Sequence, residues 1–249
     1  MKRQLINIIT IAVVGMLSFA CEPDLDTKGV SRITYFPDIT RVGDPTYIIE
    51  VGQPYAEPGI SAKEGESPID VTTQISGDYF EGNISTINTI NPDRYTITYS
   101  AINSDGFPGS TGRTVYVAGK GDLVTDISGL YTSTVVRNGV SAPKYTNMSY
   151  VIIKKTGAST YSLSDIIGGY YDVGRAFGRD YAGTGSTITV NNLGANDFTF
   201  GPSIGIGAFG GIADLKEMEV DPIAKQIHLV TDWDGGPYTF VITLTQVEF

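Results

Sequence analysis

From Arg32 onward the chain runs in short segments in which apolar and polar residues alternate, and turn residues separate the segments. Tyr95, Ile97, Tyr99 and Ala101 are interleaved with Thr96, Thr98 and Ser100. That period of two puts one face of a strand in a core and the other in water. Arg32–Phe36, Thr46–Val51, Ile69–Ser76, Arg94–Ile102 and Arg113–Val117 are the clearest strands of the first half. Asn103-Ser104-Asp105-Gly106 is a turn, with Gly106 free to take positive φ. The second half predicts strands at Gly129–Arg137, Asn147–Lys155, Thr160–Ser164, Ser186–Asn191, Asp197–Phe200, Glu217–Val220, Gln226–Thr231 and Tyr238–Val247. In the last of these Tyr238, Phe240, Ile242 and Leu244 alternate with Thr239, Val241, Thr243 and Thr245.

The fold class is therefore all-β, and Ala118-Gly119-Lys120-Gly121-Asp122 is the flexible break that divides it. Residues 32–118 hold five to seven strands in about 85 residues, the size of an Ig-like β-sandwich. After a linker at 119–123, residues 124–249 read as an antiparallel meander. It closes as a small lipocalin-like β-barrel, or stays open as a sandwich.

Motifs in both halves carry resemblances. Val51-Gly52-Gln53-Pro54-Tyr55, Glu57-Pro58-Gly59-Ile60-Ser61-Ala62, the Tyr95–Gly106 strand and turn, and Arg113–Val117 resemble the bacterial Ig-like domain first named from a pesticidal crystal protein. The stretch from Gly77 to Ile90 is longer than that family has there. The resemblance implies a spacer or adhesion-like module. Ser164–Tyr171, Asp221-Pro222 and Val230-Thr231-Asp232-Trp233 resemble the uncharacterised C-terminal domain of Bacteroidetes surface lipoproteins that carry the same Ig-like domain. That second resemblance implies a setting beside glycan-uptake systems.

The start of the chain has a different pattern. Lys2 and Arg3 precede an apolar run from Leu5 to Leu17, too short to span a bilayer and shaped as an export signal. Cys21, the chain's one cysteine, stands where that run ends. It resembles the acylated residue of a bacterial lipoprotein signal, with residues 1–20 as the signal peptide. Ordinary signal-peptidase cleavage after Ala20 is the alternative, and it would leave an exposed thiol. Residues 21–31 form an acidic tether, and Glu22, Asp24 and Asp26 resemble the surface-export signal of Bacteroidetes lipoproteins. The protein is then expected at the outer membrane, lipid-anchored and facing the cell surface, with the periplasmic face as the other option.

Charge and chemistry narrow the partners. Asp and Glu number 27 against 17 Lys and Arg, for a net charge of −10, and no basic cluster exists. Nucleic acid is excluded as a partner on that ground. With one cysteine there is no intramolecular disulfide, so each half must bury a sufficient apolar core unaided. Gly205-Ile206-Gly207-Ala208-Phe209-Gly210 has the letters of a dinucleotide-binding loop but no helix pattern behind it. His228, the single histidine, lies between Ile227 and Leu229 as an exposed strand residue. Asp232-Trp233-Asp234-Gly235-Gly236 reads as a hairpin turn, with calcium the weaker reading because no distal Glu completes a loop. No spacing singles out a pair of catalytic carboxylates. The expectation is a protein without catalysis, metal or cofactor.

Trp233 is the one tryptophan, and Asp232 and Asp234 flank it. With Tyr170, Tyr171 and Tyr181 these residues are the candidate ligand site. Aromatic faces stack on sugar rings while carboxylates accept hydroxyls. The competing reading places the rings in the barrel core. Two functions follow. One is a surface lipoprotein that binds polysaccharide or oligosaccharide as an accessory to outer-membrane uptake proteins. The other is a structural or assembly subunit with no small-molecule ligand. Intact-mass analysis of the membrane fraction should find acyl mass on a chain beginning at Cys21; a free thiol there would refute lipidation.

Overall fold

The computed structural model describes residues 33–249, so Cys21 and the acidic stretch behind it lie outside the described residues. The first half contains β1 (Pro37–Arg41), β2 (Thr46–Glu50), β3 (Ile60–Glu64), β4 (Ser67–Ile69), β5 (Thr72–Gly77), β6 (Gly82–Ile84), β7 (Asp93–Ile102) and β8 (Pro108–Ala118). The alternation in β7 does what its period requires: Tyr95, Ile97, Tyr99 and Ala101 are buried and the residues between them are not. A three-stranded sheet, β1-β3-β4, faces a five-stranded one, β2-β8-β7-β5-β6, in which β2 runs parallel to β8. Tyr95, Ile97, Tyr99, Val115 and Val117 form the core of this Ig-like sandwich. The first strand begins at Pro37 rather than spanning Arg32–Phe36. Its partner β3 reaches only to Glu64, opposite Pro37, before the chain turns at Gly65, so residues 33–36 have no ladder to join.

The second half contains β9 (Gly129–Arg137), β10 (Met148–Lys155), β11 (Thr160–Leu163), β12 (Thr187–Asn192), β13 (Asp197–Phe200), β14 (Ile204–Ile206), β15 (Gly210–Asp221), β16 (Gln226–Trp233) and β17 (Tyr238–Gln246). All nine join one antiparallel sheet in the order β13-β12-β11-β10-β9-β17-β16-β15-β14. The sheet curls until Asn196, in the turn before β13, accepts a 2.8 Å hydrogen bond from the Val220 amide of β15. No ladder joins β13 to β14, so the meander ends as a half-barrel.

The opening of that half-barrel is filled by its own chain. Residues 161–172 are buried without a break, and from Asp165 on they form turns rather than strand. Ile166, Ile167, Tyr170 and Tyr171 pack against Val135, Phe240, Ile242 and their neighbours in one continuous core. Burying each large apolar side chain contributes roughly 1.5–3 kcal/mol. Thr231 Oγ1 donates to the Ile166 carbonyl at 2.7 Å and holds this plug to β16. Gly168 cannot be replaced, because its φ is +67° and a Cβ there would lie 2.8 Å from both Ile242 and Ser133.

Asp172, at the end of the plug, joins the two halves. Its carboxylate accepts Arg94 Nη1 at 3.0 Å, Arg94 Nη2 at 3.2 Å and the Tyr79 hydroxyl at 2.7 Å. Arg94 Nε reaches Asp78 at 2.6 Å. Tyr79 is positioned by Asp93, whose buried carboxylate accepts the backbone N–H groups of Tyr79, Phe80, Glu81 and Arg94. Around these charges Tyr116, Ala118, Leu130 and Ile152 form a shared apolar cluster, with Tyr116 edge-on to Tyr150 at 4.9 Å. The Arg94 and Asp172 side chains are only 13% and 3% exposed. Removing Asp172 would leave Arg94 with Asp78 alone and the buried Tyr79 hydroxyl without its acceptor, so Asp172→Ala should lower unfolding free energy by about 1–3 kcal/mol in urea titrations. Asp180→Ala, at an exposed carboxylate, should change it by less than about 0.5 kcal/mol; equal effects would refute the role of the junction.

Candidate functional site: an aromatic rim on the half-barrel

Beyond Asp172 the chain makes a tight loop. Phe177 N donates to the Tyr171 carbonyl and Gly178 N to that of Asp172. Arg179 then returns to the Ig-like half, where its Nη1 donates to Ser76 Oγ at 3.1 Å and the Gly77 carbonyl at 3.2 Å. Asp172 and Arg179 thus pin the loop at both ends. Held between and just beyond them are Phe177, 46% exposed, and Tyr181, which is half-buried.

The 3-10 turn Gly207–Phe209 presses against this loop so closely that a Cβ on Gly207 would meet the Asp180 carbonyl. It presents Phe209, 45% exposed, with its ring centroid 4.8 Å from Tyr181 and 4.7 Å from Tyr171. Phe177 lies 5.2 Å from Tyr181 and almost parallel to Tyr171. Phe177, Tyr181 and Phe209 therefore form an open rim on a buried aromatic layer.

The structure divides the residues singled out in the sequence. Tyr170 and Tyr171 belong to the plug; Tyr170 stacks on Tyr145 at 4.0 Å, and neither offers a free face. Tyr181 belongs to the rim. Trp233 is largely buried and packs in the core of the half-barrel. Its ring contacts Tyr171, Phe209 and Tyr238, and its Nε1 donates to the Gly210 carbonyl at 3.0 Å. Gly211 and Gly235 close around the indole, since a Cβ on either would fall within 2.5 Å of it. The glycine-rich segment that resembles a nucleotide loop is a strand and a 3-10 turn leading into β15, and it makes room for this indole.

Asp232 alternates with Trp233 along β16 and points to the outer face of the sheet, while Asp234 lies in the turn just past the strand. Both line a shallow cleft of about 470 Å³ with Asp214, Lys216, Thr239 and Tyr238, and the edge of Trp233 contributes to it. Their carboxylates are engaged: Asp232 accepts Thr239 Oγ1 at 2.7 Å, Asp234 accepts the Ile212 amide, and Asp214 accepts Ser203 and Lys216. Among the described residues no group of three or more His, Cys, Asp or Glu is placed to hold a metal. His228 is half-buried on the same outer face, its Nδ1 3.3 Å from Thr243 Oγ1.

Phe209 is the residue the sequence reading passed over. Its signal was an aromatic inside a glycine-rich stretch discounted as a nucleotide motif.

The comparisons with known proteins agree with this architecture. Residues 39–117 match the Ig-like domain family of bacterial surface proteins, and residues 120–246 match a family of C-terminal domains. The chain belongs to that C-terminal-domain family, here preceded by the surface-protein Ig-like domain. Among solved structures it is similar to the lipoprotein BT2262 from Bacteroides thetaiotaomicron, at 28% identity and a TM-score of 0.61, over 85% of this chain and 100% of that one. No curated protein matches the sequence. The chain is thus a homologue of a bacterial lipoprotein.

The start of the plug holds a buried carboxyl that is only half satisfied. Asp165 Oδ1 accepts the Ile167 and Gly183 amides, while Oδ2 is buried without a partner. Burial pushes this carboxyl up to about 7, against the backbone donors that favour its charge. The folded protein keeps the proton while the unfolded chain loses it near the ordinary value of 3.8. Asp165 should therefore make stability fall as pH rises from about 4 to 7 and then level off. Urea midpoints for wild type and Asp165→Asn across that range test this; an unchanged slope in the variant would assign the pH dependence elsewhere.

Proposed function

We propose that this protein is a non-catalytic cell-surface lipoprotein, held at the outer membrane through acylated Cys21, that binds neutral polysaccharide or oligosaccharide as an accessory to uptake proteins. The observation that carries the reading is the pair of half-exposed phenylalanine rings, Phe177 and Phe209, beside Tyr181 on a loop pinned at both ends. Aromatic faces bury the C–H faces of sugar rings, and a rim already ordered by the layer beneath loses little entropy on binding. Its lipoprotein relative and its surface-protein Ig-like domain support the location.

A glycan array probed with the mature protein should identify a saccharide. Phe177→Ala and Phe209→Ala should each weaken its binding by about 1–3 kcal/mol, as for anchoring aromatics, with little loss of stability. Trp233→Ala should instead lower stability by about 3–5 kcal/mol. Saccharide binding undiminished in both phenylalanine variants would move the site away from the rim. An array without a single bound glycan would favour an assembly subunit of an outer-membrane complex.

A further inference from the structure

The turn that carries the rim also reaches the other half of the molecule. Phe177 and Tyr181 belong to the rim, while Arg179 between them lines a groove of about 520 Å³ on the Ig-like sheet. Gln74, Ser76, Asn83, Thr96 and Thr98 form the groove's polar lining. They stand in register: Gln74 pairs with Thr98 across β5 and β7, and Ser76 with Thr96 on one side and Asn83 on the other. This is the face of the sheet turned away from the Tyr95–Ile97–Tyr99 core.

Three properties of the groove define its ligand. Beside Ile75 and Ile84 its lining carries the amides of Gln74 and Asn83 and the hydroxyls of Thr73 and Thr98. Those groups both donate and accept, as sugar hydroxyls do, while Ser76 and Thr96 are held by Arg179 and Asp78. Its charges are balanced, because Arg179 lies 3.8 Å from Asp78, which also pairs with Arg94, and Arg94 in turn pairs with Asp172. An anionic ligand would find no surplus cation there and would meet a protein of net charge −10. Its walls are a hydrogen-bonded sheet and a pinned turn, and its volume is that of a small-ligand site at a domain junction.

We propose that the groove is the second half of the saccharide site, so that a neutral oligosaccharide stacks on the rim and continues past Arg179 onto the Ig-like sheet. The Ig-like domain is then a contributor to binding and not only a spacer. This extends the saccharide reading of the rim and rests on it.

The test uses the mature protein and calorimetric titration with neutral disaccharides and hexasaccharides of glucose, mannose, xylose and galactose. One hexasaccharide should bind at least about tenfold more tightly than its disaccharide, the equivalent of one or two additional hydrogen bonds. The double variant Gln74→Ala/Thr98→Ala, and separately Thr98→Trp to fill the groove, should abolish that advantage and leave disaccharide binding unchanged. Phe209→Ala should weaken both lengths. Unchanged urea midpoints establish that the variants are folded. Equal affinity for the two lengths, or groove variants that bind the hexasaccharide as wild type does, would overturn the groove while leaving the rim standing. Loss in the groove variants but not in Phe209→Ala would support the groove and overturn the rim. Failure of every probe to bind would overturn both.

Discussion

The Asp172 carboxylate, held by Arg94 and Tyr79, is the interaction on which the rest of the structure depends. A buried charge is tolerated only where its partner and hydrogen bonds are in place, so the pair admits one arrangement of the two halves. Its consequences run in both directions along the chain. Upstream it ends the plug that fills the half-barrel. Downstream it starts the loop that Arg179 returns to the Ig-like sheet. The rim and the groove are therefore set by one junction, which reaches the groove through Asp78, the partner of both Arg94 and the Thr96 hydroxyl.

The half-barrel shows a related economy. An open, curled sheet leaves its concave face to be covered, and here the covering is residues 161–172 of the same chain. Two aromatic layers result. Tyr170, Tyr171 and Trp233 belong to the core, and Phe177 and Phe209 sit on them facing solvent. Large rings left half-exposed on so ordered a base are what a stacking ligand requires. The glycines around Trp233 make room for the indole in that base.

Asp165 is the exception within this layer. It holds the start of the plug by accepting two amides, yet one oxygen remains buried without a partner. The same burial that makes the plug continuous raises the cost of its charge. Some stability near neutral pH is thus given up for a backbone turn that delivers Tyr170 and Tyr171 to the core.

Much of this molecule was legible in the chain itself. The period-two alternation of Tyr95–Ala101 and Tyr238–Thr245 determined the strands and which residues face the core, because local sterics and burial act residue by residue. The Ig-like motifs and those of the second half pointed to the two families that the chain matches. The site was legible only in part. Tyr181, Trp233, Asp232 and Asp234 were candidates from the chain alone, the last three because they are adjacent. Extending β16 through Trp233 turns the indole toward the core and Asp232 outward, and only the pairing with β15 and β17 decided where that strand ends. Phe209 became a candidate only when tertiary packing brought Gly207–Phe209 against Arg179–Tyr181, and Arg179 became part of a groove only when Asp172 met Arg94. Those contacts join residues far apart in the chain, and no local pattern encodes which distant segments meet.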